Sequence, residues 1–295
     1  MAFIQLIKEK KPDLKDGSVK TYNSILSTLW NNLFKDEPID LSQLNDIDKM
    51  SEYADSQKSY STRKVIYAIL FSMTGLPEYR DKMINTQQVI NEVYADQTRT
   101  EKQEEKYVSQ TELKELFDKL QAEAKKIYRH KDYKWSVLQD YILLAIYGGK
   151  FIPPRRALDY TAMKIKNFNI DTDNYFYKNK FVFNNFKTAG SAGRQEIVLP
   201  KPLVSIIKKW ISVNPTDWLL FDTNKNAMDA VKLNQKFNKL FGRKVSINEF
   251  RHSYMSEKYA PTIETNRKMA EDFRLMGSSR NQEKVYIQQG LKEIM

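Results

Sequence analysis

The sequence predicts a mainly α chain with a small antiparallel β-sheet (α+β), built as an all-helical first part, a charged link and a larger, mostly helical second part. Three observations predict it. Apolar residues recur at spacings of three and four through most of the 295 residues, the period shortens to two in one stretch near 174–200, and a nearly pure run of polar and charged residues separates the two parts.

In order along the chain, residues 12–34 place Val19, Tyr22, Ile25, Leu26, Leu29 and Leu33 on one face of a helix. Residues 59–73 repeat the pattern with Val65, Ile66, Ile69, Leu70 and Met73, and Gly75-Leu76-Pro77 stops it. A third helix covers 78–95. From Asp96 to Lys106 the sequence DQTRTEKQEEK contains no apolar residue, which sets a helical domain at 1–100, a linker at 101–109 and a second domain at 110–295. Helical patterns resume at 111–129 and 133–149. Residues 174–200 then alternate β-formers around a polar YKNKF turn and a Gly-rich turn, giving a three-stranded meander. Further helices are expected at 201–213, 228–241, 247–259, 263–276 and 280–291.

Composition narrows the function. There is no cysteine and there are only two histidines, His130 and His252, so disulfides, a thiol nucleophile, cysteine-held metal centres and a histidine metal cluster are all disfavoured. Apolar runs stop after about nine residues, far short of the ~18 to 20 that cross a bilayer. The opening MAFIQLIKEKKPD has no apolar export signal, and a soluble chain with no membrane partner is expected. The net charge of +11 is uneven: residues 1–150 hold 23 Lys plus Arg and 23 Asp plus Glu, whereas residues 151–295 hold 25 and 14. Such a basic second half suits a polyanion.

Four positions in that half carry the chemistry. In YGGKFIPPRRALDY, a helix ends at Gly148-Gly149 and another begins after Pro153-Pro154. Arg156 and Asp159 lie three apart there, so the carboxylate is expected to orient that guanidinium; Arg155 is the competitor, but Leu158 stands three residues after it. Lys187 stands where a strand meets the turn AGSAG. In SINEFRHSY, Ser246 and Glu249 have capping-box spacing, placing Asn248 and Arg251 on one face of the first turns of a helix. In MGSSRNQEKVY, Gly277 reads as a helix C-cap, Ser279 with Gln282 caps the last helix, and Tyr286 follows about two turns along.

The order Arg156, Lys187, Arg251, Tyr286, in these settings, resembles the catalytic half of the tyrosine recombinases (the phage-integrase family), of the kind found in viruses and mobile elements. The resemblance implies a helical core-binding domain that closes with the catalytic domain around duplex DNA. It also implies a site-specific recombinase or integrase that cuts and rejoins DNA through a 3′-phosphotyrosine. Under it, Tyr286 is the nucleophile, Arg156 and Arg251 clamp the phosphate, and Lys187 protonates the leaving 5′ oxygen. Asn248 stands where the family has its first histidine, and Ser278 or Ser279 where it has His or Trp. Asn donates and accepts hydrogen bonds but takes no proton, which implies either a weaker enzyme or another acceptor, such as water, for the phenol proton. His252 is expected to make a buried structural hydrogen bond beneath the site, with service as the missing base as its alternative.

The first part, KKPDLKDGSVKTYNSILSTL, is similar to the opening of the family's core-binding domain, with Lys11, Lys15, Lys20, Lys58, Arg63 and Lys64 as candidate phosphate contacts. The implied partner is double-stranded DNA, with four protomers on paired sites and a monomer or dimer when free. The tail IQQGLKEIM is expected to pack on a neighbour. No cofactor, metal or ATP is required, and the setting is intracellular, in cytoplasm or nucleus, wherever the target DNA resides. The alternatives are a type IB topoisomerase, or a DNA-binding protein that keeps this fold with weakened cleavage.

Overall fold

A computed structural model describes residues 3–35, 37–95 and 97–277, which fall into two compact units dividing between Arg99 and Thr100. The first unit is all helical: α1 (Ile4–Lys10), α2 (Asp16–Leu33), a 3₁₀ turn at Leu41–Asn45, α3 (Ile47–Asp55), α4 (Tyr60–Thr74) and α5 (Pro77–Ala95). α2 buries Val19, Leu26, Leu29 and Trp30, with Tyr22, Ile25 and Leu33 packed at the edge of the same core. α4 buries Ile66, Tyr67, Ile69, Leu70 and Met73, while Val65, expected on that stripe, is exposed. It precedes Ile66 by one residue, which turns its side chain off the buried face. Gly75 ends α4 in the left-handed region (φ 80°), as its place in the sequence implies. Two buried phenols staple the unit: Tyr67 donates to Asp55 Oδ1 at 2.8 Å and Tyr79 to the Leu44 carbonyl at 2.6 Å.

The second unit opens with α6 (Glu101–Glu104), a single turn closed by a capping box between Thr100 and Gln103. This turn lies in the stretch read as a linker, and Val108 at its far end is buried in the second unit's core. Next come α7 (Gln110–His130) and α8 (Trp135–Tyr147). From Tyr141 to Tyr147 every residue of α8 is buried, and a helix apolar on all sides belongs at the centre of a domain. A short helix α9 (Ala157–Thr161) leads to the sheet, β1 (Tyr175–Tyr177), β2 (Lys180–Phe183) and β3 (Gln195–Val198). The sheet is antiparallel in the order β1-β2-β3, with Phe176 opposite Phe181 and Phe181 opposite Ile197.

The β1–β2 turn is Lys178-Asn179, both at positive φ (46° and 64°), the two-residue geometry whose twist matches paired strands. The β2–β3 connection differs from the tight Gly-rich turn expected: it spans residues 184–194 and contains the short helix α10 (Ala189–Ala192). The rest is helical: α11 (Lys201–Val213), α12 (Ala230–Phe241), α13 (Ile247–Tyr259) and α14 (Pro261–Leu275). α13 starts after Ser246 as predicted, but without the capping box. The Ser246 side chain does not cap the helix and instead lies 3.5 Å from Glu249 Oε1. Gly277 follows α14 at φ 67°. Among the described residues no helix is long and apolar enough to cross a membrane.

A chain of aromatic rings crosses this unit. Phe181 and Phe183 of β2 lie 5.4 and 5.5 Å from Tyr160 of α9, and Tyr160 lies 5.2 Å from Tyr147 of α8. Tyr147 lies 5.7 Å from Phe237 of α12, which in turn lies 4.7 Å from Phe250 of α13. All are edge-on or tilted, the arrangements that oppose ring edge to ring face. Because Phe237 is fully buried at the junction of three helices, Phe237→Ala is expected to cost about 3 to 5 kcal/mol, checked by urea unfolding of the full chain.

Candidate functional site

Two of the candidate residues, Arg156 and Arg251, border this aromatic chain through their neighbours in sequence, Ala157 and Phe250. α8 ends at Tyr147, whose hydroxyl donates to the Ala157 carbonyl at 3.2 Å; Ala157 directly follows Arg156. Between them, Gly149 turns the chain at φ 77°, and a Cβ there would come within 2.7 Å of the Tyr254 ring. Only glycine allows both the backbone conformation and this close approach of α13. Gln110 of α7 adds a second tie to α13 by donating to the buried Ser253 hydroxyl at 2.9 Å.

The two adjacent arginines take different places. Arg155 Nε donates to Asp159 Oδ2 at 2.8 Å, its Nη1 donates to Gln195 Oε1 at 2.8 Å, and its guanidinium lies 4.0 Å from the Phe183 ring centroid and 5.1 Å from that of Phe186. Asp159 therefore orients Arg155, not Arg156 as the three-residue spacing suggested. The reason is local. Helix α9 starts later than the proline pair implied, so Arg156 is its N-cap, with extended backbone (φ −70°, ψ 157°), outside the helical register that a spacing of three assumes. Arg156 is half-buried and its side chain has no hydrogen bond or ion pair among the described residues. One arginine is thus built into the core, and its neighbour keeps its donors available for an anion.

Lys187 lies in the long β2–β3 connection, exposed, and not at the strand end or hairpin tip where the sequence placed it. The residues before it are held firmly. Phe183 and Phe186 pack beneath Arg155, and the backbone N–H groups of Asn184 and Asn185 donate to the buried Asn174 Oδ1 at 2.9 and 2.8 Å. Asp173, next to Asn174, accepts from the Asn169 N–H at 2.7 Å and pairs with Lys164 at 2.9 Å. Burial pushes the Asp173 carboxyl up, but these two donors outweigh it and hold the group below its ordinary value.

On α13, Phe250 sits in the aromatic chain and Arg251 follows it, half-buried, with Nη1 3.5 Å from Asn248 Oδ1. That distance marks a loose contact, so both side chains remain able to face a ligand near the positive end of the helix. The segment leading into α13 is fixed by Arg243, which grips both Glu112 oxygens at 2.6 and 2.7 Å and donates to the Tyr107 carbonyl at 2.9 Å. His252 is exposed, in contrast to the buried structural role expected of it. It is adjacent to Arg251 in a helix whose buried face runs through Ile247, Phe250 and Ser253, so its side chain points away from the core. Ser278, Ser279, Tyr286 and the tail lie outside the described residues. In the first unit, Lys11, Lys15, Lys20 and Lys58 are exposed. Arg63 instead donates to the Gln57 carbonyl and stacks on Tyr60, and Lys64 bonds Gln87.

The residues that support the candidate site without having been assigned to it from the sequence are Arg155, Asn174, Gly149 and Tyr147. For Arg155 the signal was present, because Asp159 is also four residues away, a spacing as good as three. The others act through contacts distant in sequence and leave no local pattern.

No protein-family model matches the sequence, and no curated protein matches it. Solved structures do. Residues 75–356 of lambda integrase, crystallised as a dimer bound to a COC' core site, align over 99% of this chain and 97% of that one with a TM-score of 0.50 and 12% identity. A second lambda integrase dimer on a COC' core site gives 0.50 over 99% of this chain and 78% of that one, again at 12% identity. Residues 82–397 of the Tn1549 transposon integrase, in complex with circular intermediate DNA, give 0.52 over 89% and 88% at 13% identity. The chain has the tyrosine-recombinase fold.

Two measurements test the site's construction. Arg155→Ala leaves the Asp159 carboxylate, 3% exposed, without its counter-charge, and should destabilise the chain by about 3 kcal/mol or more. Arg156→Ala should shift stability by only about 0.5 kcal/mol; equal losses in chemical denaturation would contradict the division of roles. For Asp173 the folded state lowers the pKa, so its contribution is complete above the ordinary carboxylate value of about 3.9 and is lost as pH falls through the lowered one. The stability gap between the wild type and Asp173→Asn should be open at neutral pH and close in acid, read by thermal melts across that range.

Proposed function

We propose that this chain is a DNA strand transferase of the tyrosine-recombinase type, and that its cleavage centre comprises Arg156, Lys187, Asn248, Arg251, Ser278 or Ser279, and Tyr286. The observation that supports the reading is that three cationic residues, in the family's order, each stand next in sequence to a residue packed in or against the second unit's core, Ala157, Phe186 and Phe250, within that family's fold. A phosphodiester under attack gathers negative charge on its non-bridging oxygens, and two guanidiniums with available donors meet that charge.

In the forward step the Tyr286 oxygen bonds to phosphorus while its proton passes to water, since neither Asn248 nor the serines accept one at neutral pH. The bond from phosphorus to the 5′ oxygen breaks, and Lys187 gives that oxygen a proton, leaving a 3′-phosphotyrosine and a free 5′ hydroxyl. In the return step a 5′ hydroxyl from a partner strand attacks the phosphotyrosine and its proton goes to the Lys187 amine, while the bond from phosphorus to the Tyr286 oxygen breaks and that oxygen takes a proton back from water to reform the phenol. The number and type of phosphodiester bonds are conserved, so no ATP enters. Asn248 and Ser278 or Ser279 supply hydrogen bonds to the phosphate oxygens. Exchange between two duplexes takes four protomers, and Lys11, Lys15, Lys20 and Lys58 of the first unit serve as phosphate contacts, a role their exposure supports. The basic second half of the chain supports a duplex partner, as in a mobile-element or viral enzyme.

The test is covalent trapping. The full chain is incubated with nicked duplexes of randomised sequence, from which the strand beyond the nick diffuses away after cleavage. An adduct that survives detergent, maps to Tyr286 by peptide mass and is absent from Tyr286→Phe is expected. DNA binding without any adduct would leave a binding protein of this fold, and an adduct formed by Tyr286→Phe would remove the nucleophile assignment. Relaxation of a supercoiled plasmid without recombinant product from paired sites would point to a topoisomerase.

A further inference from the structure

We propose that Asn174 is the positioning residue for Lys187, the group that sets where the leaving oxygen meets its proton. The inference rests on the reading of Lys187 as proton donor. Asn174 is 5% exposed, and its carboxamide is saturated. Nδ2 donates to the Asp159 carbonyl at 3.0 Å and to the Asn185 carbonyl at 2.7 Å, while Oδ1 accepts from the N–H groups of Asn184 at 2.9 Å and Asn185 at 2.8 Å. An amide has two donors and two lone pairs, and all four are used.

The partners of these bonds carry the argument. Asp159 belongs to α9, which begins directly after Arg156, and Asn184 and Asn185 belong to the segment that ends at Lys187. One buried side chain therefore ties the backbone of the arginine helix to the backbone of the lysine loop. The tie to Asn185 engages both its N–H and its carbonyl, as an adjacent β-strand would, although Asn185 lies beyond the last residue of β2. The Asn184 side chain adds a second anchor, donating to the carbonyls of Ile170 and Asp173 at 2.9 and 2.8 Å. Phe183 and Phe186 are buried under Arg155. Residues 183 to 186 are thus fixed one after another, and Lys187 is the first residue past the fixed segment, with only its own flexible stem between the anchor and the phosphate. Proton transfer needs the donor within hydrogen-bond reach of the leaving oxygen, so displacing this segment acts on that step more than on phosphate binding.

A carboxylate cannot replace this amide, because once ionised it offers no donor and would face two carbonyl oxygens. Asn174→Asp keeps the shape and removes both donations. The experiment compares cleavage, as the rate of adduct formation, on a trapped duplex and on the same duplex with sulfur in place of the scissile 5′ oxygen. A thiolate leaves without a proton, so the sulfur duplex bypasses the proton donor. Asn174→Asp is expected to slow cleavage of the oxygen duplex by about tenfold or more, with DNA affinity unchanged and the sulfur duplex cut within about threefold of the wild-type rate. An equal loss on both duplexes would show a merely structural role and overturn the proposal, as would no loss on either. Should Asn174→Asp fail to fold, Asn184→Ala, which removes the second anchor from a half-buried position, must give the same sulfur-dependent recovery, and its failure to do so overturns the proposal. Lys187→Ala on both duplexes separates the premise: if sulfur does not restore its cleavage, Lys187 is not the proton donor and both readings fall, whereas recovery for Lys187→Ala alone sinks only the role of Asn174.

Discussion

The candidate centre depends on the contact between two buried tyrosines, Tyr147 and Tyr160, whose rings meet edge to face at 5.2 Å. Each ring is at a crossing. Tyr160 supports the sheet that leads to Lys187, and Tyr147 supports Phe237 and, through it, the Phe250 that precedes Arg251. The Tyr147 hydroxyl also fixes the backbone one residue past Arg156. Burial pushes both phenols up, away from ionisation at neutral pH. Tyr147 donates its hydroxyl to the Ala157 carbonyl, whereas the buried Tyr160 hydroxyl has no hydrogen-bond partner among the described residues, a cost that the packing of its ring offsets. An edge-to-face pair contributes only about 0.5 to 1.5 kcal/mol beyond its buried area. Its importance is geometric, since rings in fixed rotamers transmit position where a looser aliphatic core would blur it.

The same logic of placement explains why two neighbouring arginines are not interchangeable. Arg155 is given over to structure: its charge is balanced by Asp159, its plane covers two phenylalanines, and its remaining donor reaches across to β3. Arg156 is released by the extended backbone of an N-cap. The acid that sequence spacing assigns to Arg156 therefore pairs with its neighbour instead. Asn248 and Arg251 show the opposite case, a spacing of three inside a real helix that does bring the two side chains together, though loosely.

What was legible in the sequence was whatever depends on short range. The long amphipathic helices, the hairpin turn at Lys178-Asn179 and the stops at Gly75, Gly148 and Gly277 follow from periodicity and backbone preference. Short helices such as α1, α3 and α6 escaped, because one or two turns give too few repeats of the pattern and are held by tertiary contacts. The candidate cations were legible through their order along the chain. Their supports were not: Asn174 reaches 11 and 15 residues to its partners, Gln110 reaches 143 to Ser253, and only the folded chain brings them together. His252 was misjudged for a related reason. One residue's shift around a helix exchanges the buried face for solvent, and the stripe through Ile247, Phe250 and Ser253 is visible only once the neighbouring elements are in place.

The aromatic chain runs from Tyr147 to Phe250, and this has a bearing on synthesis. A ribosome-bound chain that has released α8, α9 and the sheet still lacks the Phe237 and Phe250 rings that seat α13, so its arginines and lysine are not yet held together. Domains fold as units when their last core element emerges, and here that element carries the second arginine. Tyr286 follows later still in sequence order. The seat of Arg251 is therefore completed after those of Arg156 and Lys187, because the ring beside it comes last along the aromatic chain.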